Sequence, residues 1–150
     1  MIGLEKYGGL WTVTIDRQDK ANSLTAGMLA DLADIFEAAQ EARCVILTGR
    51  GRVFSAGADL EEAHAGLATS AVWERLSTAV ATLPGLSVAA LNGTLAGGAT
   101  GMVLGCDLRM AVPSANFFYP EDLIDTAHGI CAATLAARPD IATGIKALCR

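Results

Sequence analysis

The sequence predicts an α/β fold with a repeated β-β-α order, and three observations carry that prediction. Short runs rich in β-forming residues alternate with segments of helical periodicity. Two of those runs end in glycine turns, one at Gly49-Arg50-Gly51-Arg52 and one at Asn92-Gly93. The stretch from Leu76 to Cys106 has no charged residue, enough to span a bilayer on length alone. Yet Pro84-Gly85 and Asn92-Gly93 cut it into pieces too short to span, which alternate as strand and helix do in a buried α/β core.

In chain order, Ile2 to Tyr7 and Leu10 to Asp16 form a predicted hairpin across Gly8-Gly9. Thr25 is suited to cap a helix running to about Ala42, because Leu29, Leu32, Ala33 and Phe36 then share one face. Cys44 to Thr48 is the next strand, Leu67 to Leu83 the next helix, and Val88 to Leu91 the strand after it. Beyond Asn92-Gly93 the chain resumes as a glycine-studded segment expected to be helical, with Gly97-Gly98-Ala99 in its first turn, and then as a strand from Leu108 to Val112. The remainder, Asp122 to Arg150, reads as one helix to about Ala137, a break at Arg138-Pro139 and a short final helix.

With 150 residues, 52% hydrophobic and only 18% charged, the chain can build one core, and residues 1–150 are expected to form one domain. A net charge of −5 argues against nucleic-acid binding, which calls for a basic patch. Cys44, Cys106, Cys131 and Cys149 lack disulfide-framework spacing, and the N-terminus carries no basic-then-apolar leader, so a cytoplasmic protein without membrane attachment is expected. No metal-ligand pattern, CxxC motif or Ser/His/Asp set stands out.

The glycine turns carry the functional signal. A strand, a tight turn and a helix opening at Gly97-Gly98-Ala99 leave backbone N–H groups pointing beyond the helix, backed by the positive end of the peptide dipoles, and such a turn can hold an oxyanion. Gly97, Gly101 and Gly105 also recur every four residues, as a helix-packing face does. The upstream segment Val53-Phe54-Ser55-Ala56-Gly57-Ala58-Asp59-Leu60 repeats the strand-to-glycine arrangement, so two sets of donors can converge on one point.

VILTGRGRVFSAGADLEEA, followed by VAALNGTLAGGATGMVLGCDLRMAVPSANFFYPE, resembles the enoyl-CoA hydratase/isomerase family, the crotonase superfamily. The segment from Ile15 to Leu24 resembles that family's first acyl-CoA-binding segment, with Gln18 where a proline is usual. The likeness covers about residues 1–121 and implies a spiral of β-β-α turns with two sheets at an angle. Residues 122–150 diverge, so the chain resembles a shortened member whose C-terminal helical part is reduced.

By the same resemblance, the N–H groups of Ala58 and Gly98 would form an oxyanion hole for a thioester carbonyl. Lys20, Ala21, Ala56, Asp59, Leu60, Ala96 and Gly97 would line the path of CoA and its acyl group. The CoA thioester would be the substrate, with no other cofactor. Because CoA is anionic, Arg17, Lys20 and Arg52 are candidate phosphate contacts.

Hydratases of the family use two glutamates, and here the first of those positions is Gly101 while the second is matched by Glu121 of Asn116-Phe117-Phe118-Tyr119-Pro120-Glu121. Hydration wants both a base for water and an acid for carbon, whereas one carboxylate suffices to move a proton between two carbons. The resemblance therefore implies isomerase-like or decarboxylase-like chemistry in lipid metabolism. Two alternatives stand beside it: a hydratase whose second acid is not recognised, and a non-catalytic CoA-binding or assembly protein that keeps the fold. Homo-oligomers, trimers or multiples of them, are implied by the resemblance. Glu61 and Glu62 read as first-turn helix acids, and His128, seven residues after Glu121, as a group able to tune its pKa if the segment is helical.

Overall fold

The computed structural model describes residues 1–118. In chain order its strands and helices are β1 (Ile2–Tyr7), β2 (Leu10–Ile15), α1 (Ala26–Ala38), β3 (Cys44–Gly49), β4 (Val53–Ser55), α2 (Leu60–His64), α3 (Val72–Ala81), β5 (Leu86–Leu91), β6 (Thr94–Ala96), α4 (Ala99–Leu104), β7 (Leu108–Ala111) and β8 (Phe117–Phe118). The hairpin β1-β2 is antiparallel, and β3, β5 and β7 add to it in parallel, giving a five-stranded sheet in the order β1-β2-β3-β5-β7. A second, parallel sheet has the order β4-β6-β8. Each successive pass of the chain thus lays one strand in each sheet, as a β-β-α spiral requires.

Period-two patterning sets the core. Val45 and Leu47 of β3, with Ala89 and Leu91 of β5, turn inward, and Val13, Leu47 and Ala89 stand side by side in register. The predicted face of α1, Leu29, Leu32, Ala33 and Phe36, is fully buried. A buried Leu or Phe contributes roughly 1.5–3 kcal/mol, so packing rather than helix propensity holds α1 in place. Thr25 caps it as expected, its Oγ1 accepting from Met28 N at 3.2 Å, and the Glu62 carboxylate accepts from Ala26 N at 2.6 Å.

Several boundaries differ from the sequence reading. The first helix ends at Ala38 and tightens into a 3₁₀ turn, Ala39–Glu41, short of Ala42. The expected helix from Leu67 to Leu83 is a 3₁₀ turn, Leu67–Thr69, followed by α3. Ser70 breaks it with an extended ψ of 137°, and the Trp73 indole N–H, donating to Leu67 O at 2.9 Å, stitches the two pieces together. After Asn92-Gly93 the chain first forms β6, and the glycine-rich helix begins only at Ala99. The short strand β8 was not anticipated; it exists because Leu95 N and Gly97 N donate to Asn116 O and Phe118 O. The helices expected within 122–150 lie outside the described residues.

Candidate active site

Three segments meet at the ends of the second sheet: residues 17–24, the turn from Ala56 to Asp59 after β4, and the turn from Gly97 to Ala99 after β6. Two asparagines brace the approach. Asn22, buried and left-handed at φ 54°, accepts from Arg17 N at 2.7 Å and donates to Arg50 O and Val53 O at 2.9 and 2.6 Å. Asn92 accepts from Gly49 N at 3.0 Å and donates to Gly51 O at 2.9 Å and to Val53 O at 3.3 Å, sharing that last carbonyl with Asn22. The Gly49–Val53 turn is therefore held by two side-chain amides, which fixes where β4 starts.

Past β4, Gly57 adopts φ 89°, and a Cβ there would lie 2.9 Å from Ala96 O and 3.3 Å from Gly97 Cα. Only glycine lets the two turns approach this closely. The Ala56–Asp59 turn is also zipped to residues 21–24, through Ala56 N to Ala21 O at 3.0 Å, Leu24 N to Gly57 O at 2.7 Å and Asp59 N to Leu24 O at 2.8 Å. A trans peptide directs its C=O and N–H in opposite directions. Because Leu24 grips Gly57 O, the Ala58 N–H faces away from Leu24.

The second turn obeys the same geometry. Gly97 O accepts from Thr100 N at 3.1 Å, so the Gly98 N–H on that peptide points back out of the start of α4. Among the described residues, neither Ala58 N–H nor Gly98 N–H has a hydrogen-bond acceptor. Behind Gly98 lies the Trp73 ring, 3.2 Å from where a Cβ would sit, while Gly101 faces Ser77 Oγ and Gly105 faces Ser77 O and Val80 of α3. Gly101 and Gly105 therefore let α4 pack against α3, whereas Gly97, ahead of the helix, meets Gly57 instead, so the four-residue repeat is a packing face at two of its three positions.

A cleft of about 600 Å³ opens beside the first turn, lined by Arg17, Lys20, Ala21, Ser23, Ala56, Ala58, Asp59, Leu60 and Glu61. Lys20, Ala21, Ala56, Ala58, Asp59 and Leu60, all named from the sequence, lie in its wall. Ala96, Gly97 and Gly98 are not in its wall; Ala96 and Gly97 lie against Gly57, which sits between the wall residues Ala56 and Ala58. Lys20 forms no ion pair among the described residues and remains available to an anion. Arg17, also expected to face phosphate, lines the cleft and bonds Asp59 Oδ2 at 2.7 Å, and Arg52 is absent from the cleft wall.

Asp59 has a role that the sequence reading missed, although Arg17 and Asp59 are opposite charges within two of the quoted motifs. Its Oδ1 caps α2 by accepting from Glu61 N and Glu62 N at 3.1 and 3.4 Å. The Arg17 hydrogen bond holds the Asp59 carboxyl below its usual range, opposed by desolvation and aided by the two amides. Glu121 and His128 lie outside the described residues, and His64 ends α2 away from the cleft wall.

The model of the family described as enoyl-CoA hydratase/isomerase matches residues 5–141. The chain belongs to that family. Enoyl-CoA hydratase AKT6-1 of Alternaria alternata is 32% identical over 136 residues, which cover 87% of this chain and 44% of that protein. Among solved structures, an enoyl-CoA hydratase from Mycobacterium avium subsp. paratuberculosis K-10 superposes with a TM-score of 0.71 at 34% identity, over 77% of this chain and 48% of the other. An enoyl-CoA hydratase/carnithine racemase from Magnetospirillum magneticum gives 0.73 at 31% identity, over 82% and 50%. The crotonase fold expected from the sequence is thus the fold observed, and the chain spans about half the length of the curated relatives it matches.

Proposed function

We propose that this chain binds the thioester end of an acyl-CoA at the cleft and stabilises an enolate oxygen with the Ala58 and Gly98 N–H groups. One observation supports the reading above others: two amides without acceptors among the described residues, on turns that touch through Gly57 and Gly97. Donors preorganised in this way stabilise developing charge by about 3 kcal/mol each, judged from removal of one such donor. Lys20 would meet a CoA phosphate, Ala21, Ala56 and Ala96 would border the ligand with little bulk, and Leu60 would offer it an exposed apolar side chain.

Glu121 is proposed as the proton carrier. In isomerisation of a 3-enoyl thioester it removes a proton from C2, the oxyanion holds the enolate charge, the double bond shifts from C3–C4 to C2–C3, and the same carboxyl returns the proton to C4. In decarboxylation of a malonyl-type thioester the bond to the carboxylate breaks, CO₂ leaves, and the resulting enolate takes a proton at C2. Gly101 has no carboxyl, so the two-glutamate route to hydration lacks its first group. The same glycine favours a second reading, in which the cleft binds CoA without turnover.

The proposal extends to a cytoplasmic homo-oligomer, trimeric or a multiple of trimers, whose contacts would cover exposed Leu108, Met110, Phe117 and Phe118. No helix among the described residues is long and apolar enough to cross a membrane.

Mass spectrometry of the purified chain with 3-enoyl, 2-enoyl and malonyl-type CoA thioesters, with Glu121→Gln beside it, tests the reading. Double-bond migration or CO₂ loss that disappears in the variant is the expected result. Hydration would require a second acid, for which Glu61 in the cleft wall is the first candidate. Binding without any turnover would establish the second reading.

A further inference from the structure

We infer that Arg17 is a positioning residue for the Ala58 amide, fixing the turn that receives the thioester oxygen by tying Asp59 to Ser23. The inference rests on the oxyanion reading above and assigns a role to a cluster outside the reacting groups. The direction of the Ala58 N–H is set by the pairing of Leu24 with Gly57 O and Asp59 N. That pairing is an isolated bridge one residue wide, not a continued ladder. Upstream of it, residues 21 and 22 are held by Ala56 N–H to Ala21 O at 3.0 Å and Ser55 Oγ to Asn22 O at 2.9 Å, which leaves the Ser23 and Asp59 flanks of the bridge for a side-chain clamp.

The Arg17 guanidinium sits where such a clamp is needed. Its Nη1 donates to Asp59 Oδ2 at 2.7 Å and to Ser23 Oγ and Ser23 O at 3.1 and 3.2 Å. Ser23 immediately precedes Leu24 and Asp59 immediately follows Ala58, so one cation ties together the neighbours of both bridge residues. The side chains are 24% and 14% exposed, which shields the pair from water more than an open surface ion pair. Because Asp59 Oδ1 also caps α2, the clamp extends to the first turn of that helix. The backbone of Arg17 is itself held by Asn22 Oδ1. The clamp therefore stands on a braced segment.

The experiment compares dissociation constants for acetyl-CoA and free CoA by calorimetry in the unaltered chain, Arg17→Gln, Arg17→Lys and Asp59→Asn. Asp59→Asn keeps a good helix cap and serves if Arg17→Gln folds poorly. Free CoA lacks the thioester carbonyl, while its amide carbonyls are common to both ligands, so the ratio of the two constants reports the oxyanion contact. The expected result is a preference of the unaltered chain for acetyl-CoA that falls about fivefold to tenfold in Arg17→Gln and Asp59→Asn, the value of about one misaligned hydrogen bond. Arg17→Lys should restore part of it, since an ammonium keeps the charge but its shorter, more strongly hydrated point donor does not reproduce the Nη1 position shared by the three acceptors.

Direct phosphate binding by Arg17 predicts the opposite pattern. Freeing the guanidinium in Asp59→Asn would then tighten both ligands alike, and that result overturns the proposal. A retained acetyl-CoA preference in the variants, or equal losses for both ligands, overturns it as well. Absence of any preference in the unaltered chain would instead bring down the oxyanion reading, and the positioning role with it.

Discussion

Gly57→Ala tests the contact that brings the two turns together. Two costs add at this position. The backbone at φ 89° is unfavourable for any residue with a Cβ, by about 1 kcal/mol, part of which returns as reduced entropy of the unfolded chain. The new methyl would also lie 2.9 Å from Ala96 O, a backbone atom that moves only if β6 moves, and such overpacking costs about 1–3 kcal/mol. Gly66→Ala separates these costs, because Gly66 has φ 107° but nothing within 4 Å of its Cβ position. Gly57→Ala should therefore cost about 1–3 kcal/mol more than Gly66→Ala. For a chain of this size that is a further fall of about 2–4 °C in Tm per kcal/mol. Thermal and urea unfolding followed by circular dichroism measure the difference, and acetyl-CoA binding should weaken in Gly57→Ala alone. Equal losses in the two variants would refute the close-approach reasoning.

Further predictions concern the braces and the titrating groups. Asn22→Ala removes the donor to the part-buried carbonyls of Arg50 and Val53, the second of which keeps only Asn92 Nδ2 at 3.3 Å, removes the acceptor of Arg17 N–H and puts alanine at φ 54°, so a loss of about 2–4 kcal/mol is expected by urea denaturation. Gly101→Ala gains about 1 kcal/mol of helix propensity but sets a methyl 2.8 Å from Ser77 Oγ. Ser77 Cβ is an ordinary 3.9 Å away, so Gly101→Ala/Ser77→Ala should be more stable than the sum of its single variants, by about 1 kcal/mol in a double-mutant cycle. The carboxyls of Asp59, Asp107 and Glu37 are all lowered, chiefly by hydrogen bonds from Arg17, Ser87 and Arg75 respectively. Their stabilisation is complete above the unfolded-state values near about pH 4 and is lost as pH falls through the lower folded-state values. A urea midpoint that drops below about pH 4, less steeply in Asp59→Asn, is the expected profile.

Much of this architecture is legible locally. The hairpin, β3 and β5 follow from runs of β-formers with turn residues between them, and the buried face of α1 follows from the spacing of Leu29, Leu32, Ala33 and Phe36. Less legible is whatever depends on a partner distant in sequence. Phe117–Phe118 form a strand only because β6 offers its edge, and Ser70 interrupts a pattern that otherwise reads as helix. In the site, small residues around Ala58 and Gly98 signal backbone donors through motif likeness. The pairing of Arg17 with Asp59 spans 42 positions and appears only once the chain has folded.

Amide spectra of uniformly ¹⁵N-labelled protein, titrated with acetyl-CoA and separately with free CoA, test the central claim most directly. Downfield shifts of Ala58 and Gly98 N–H on adding acetyl-CoA but not CoA are the predicted outcome, since only the thioester brings an acceptor to those donors. Shifts confined to Lys20 and its neighbours with both ligands would contradict it, leaving a groove that holds CoA without receiving the carbonyl oxygen.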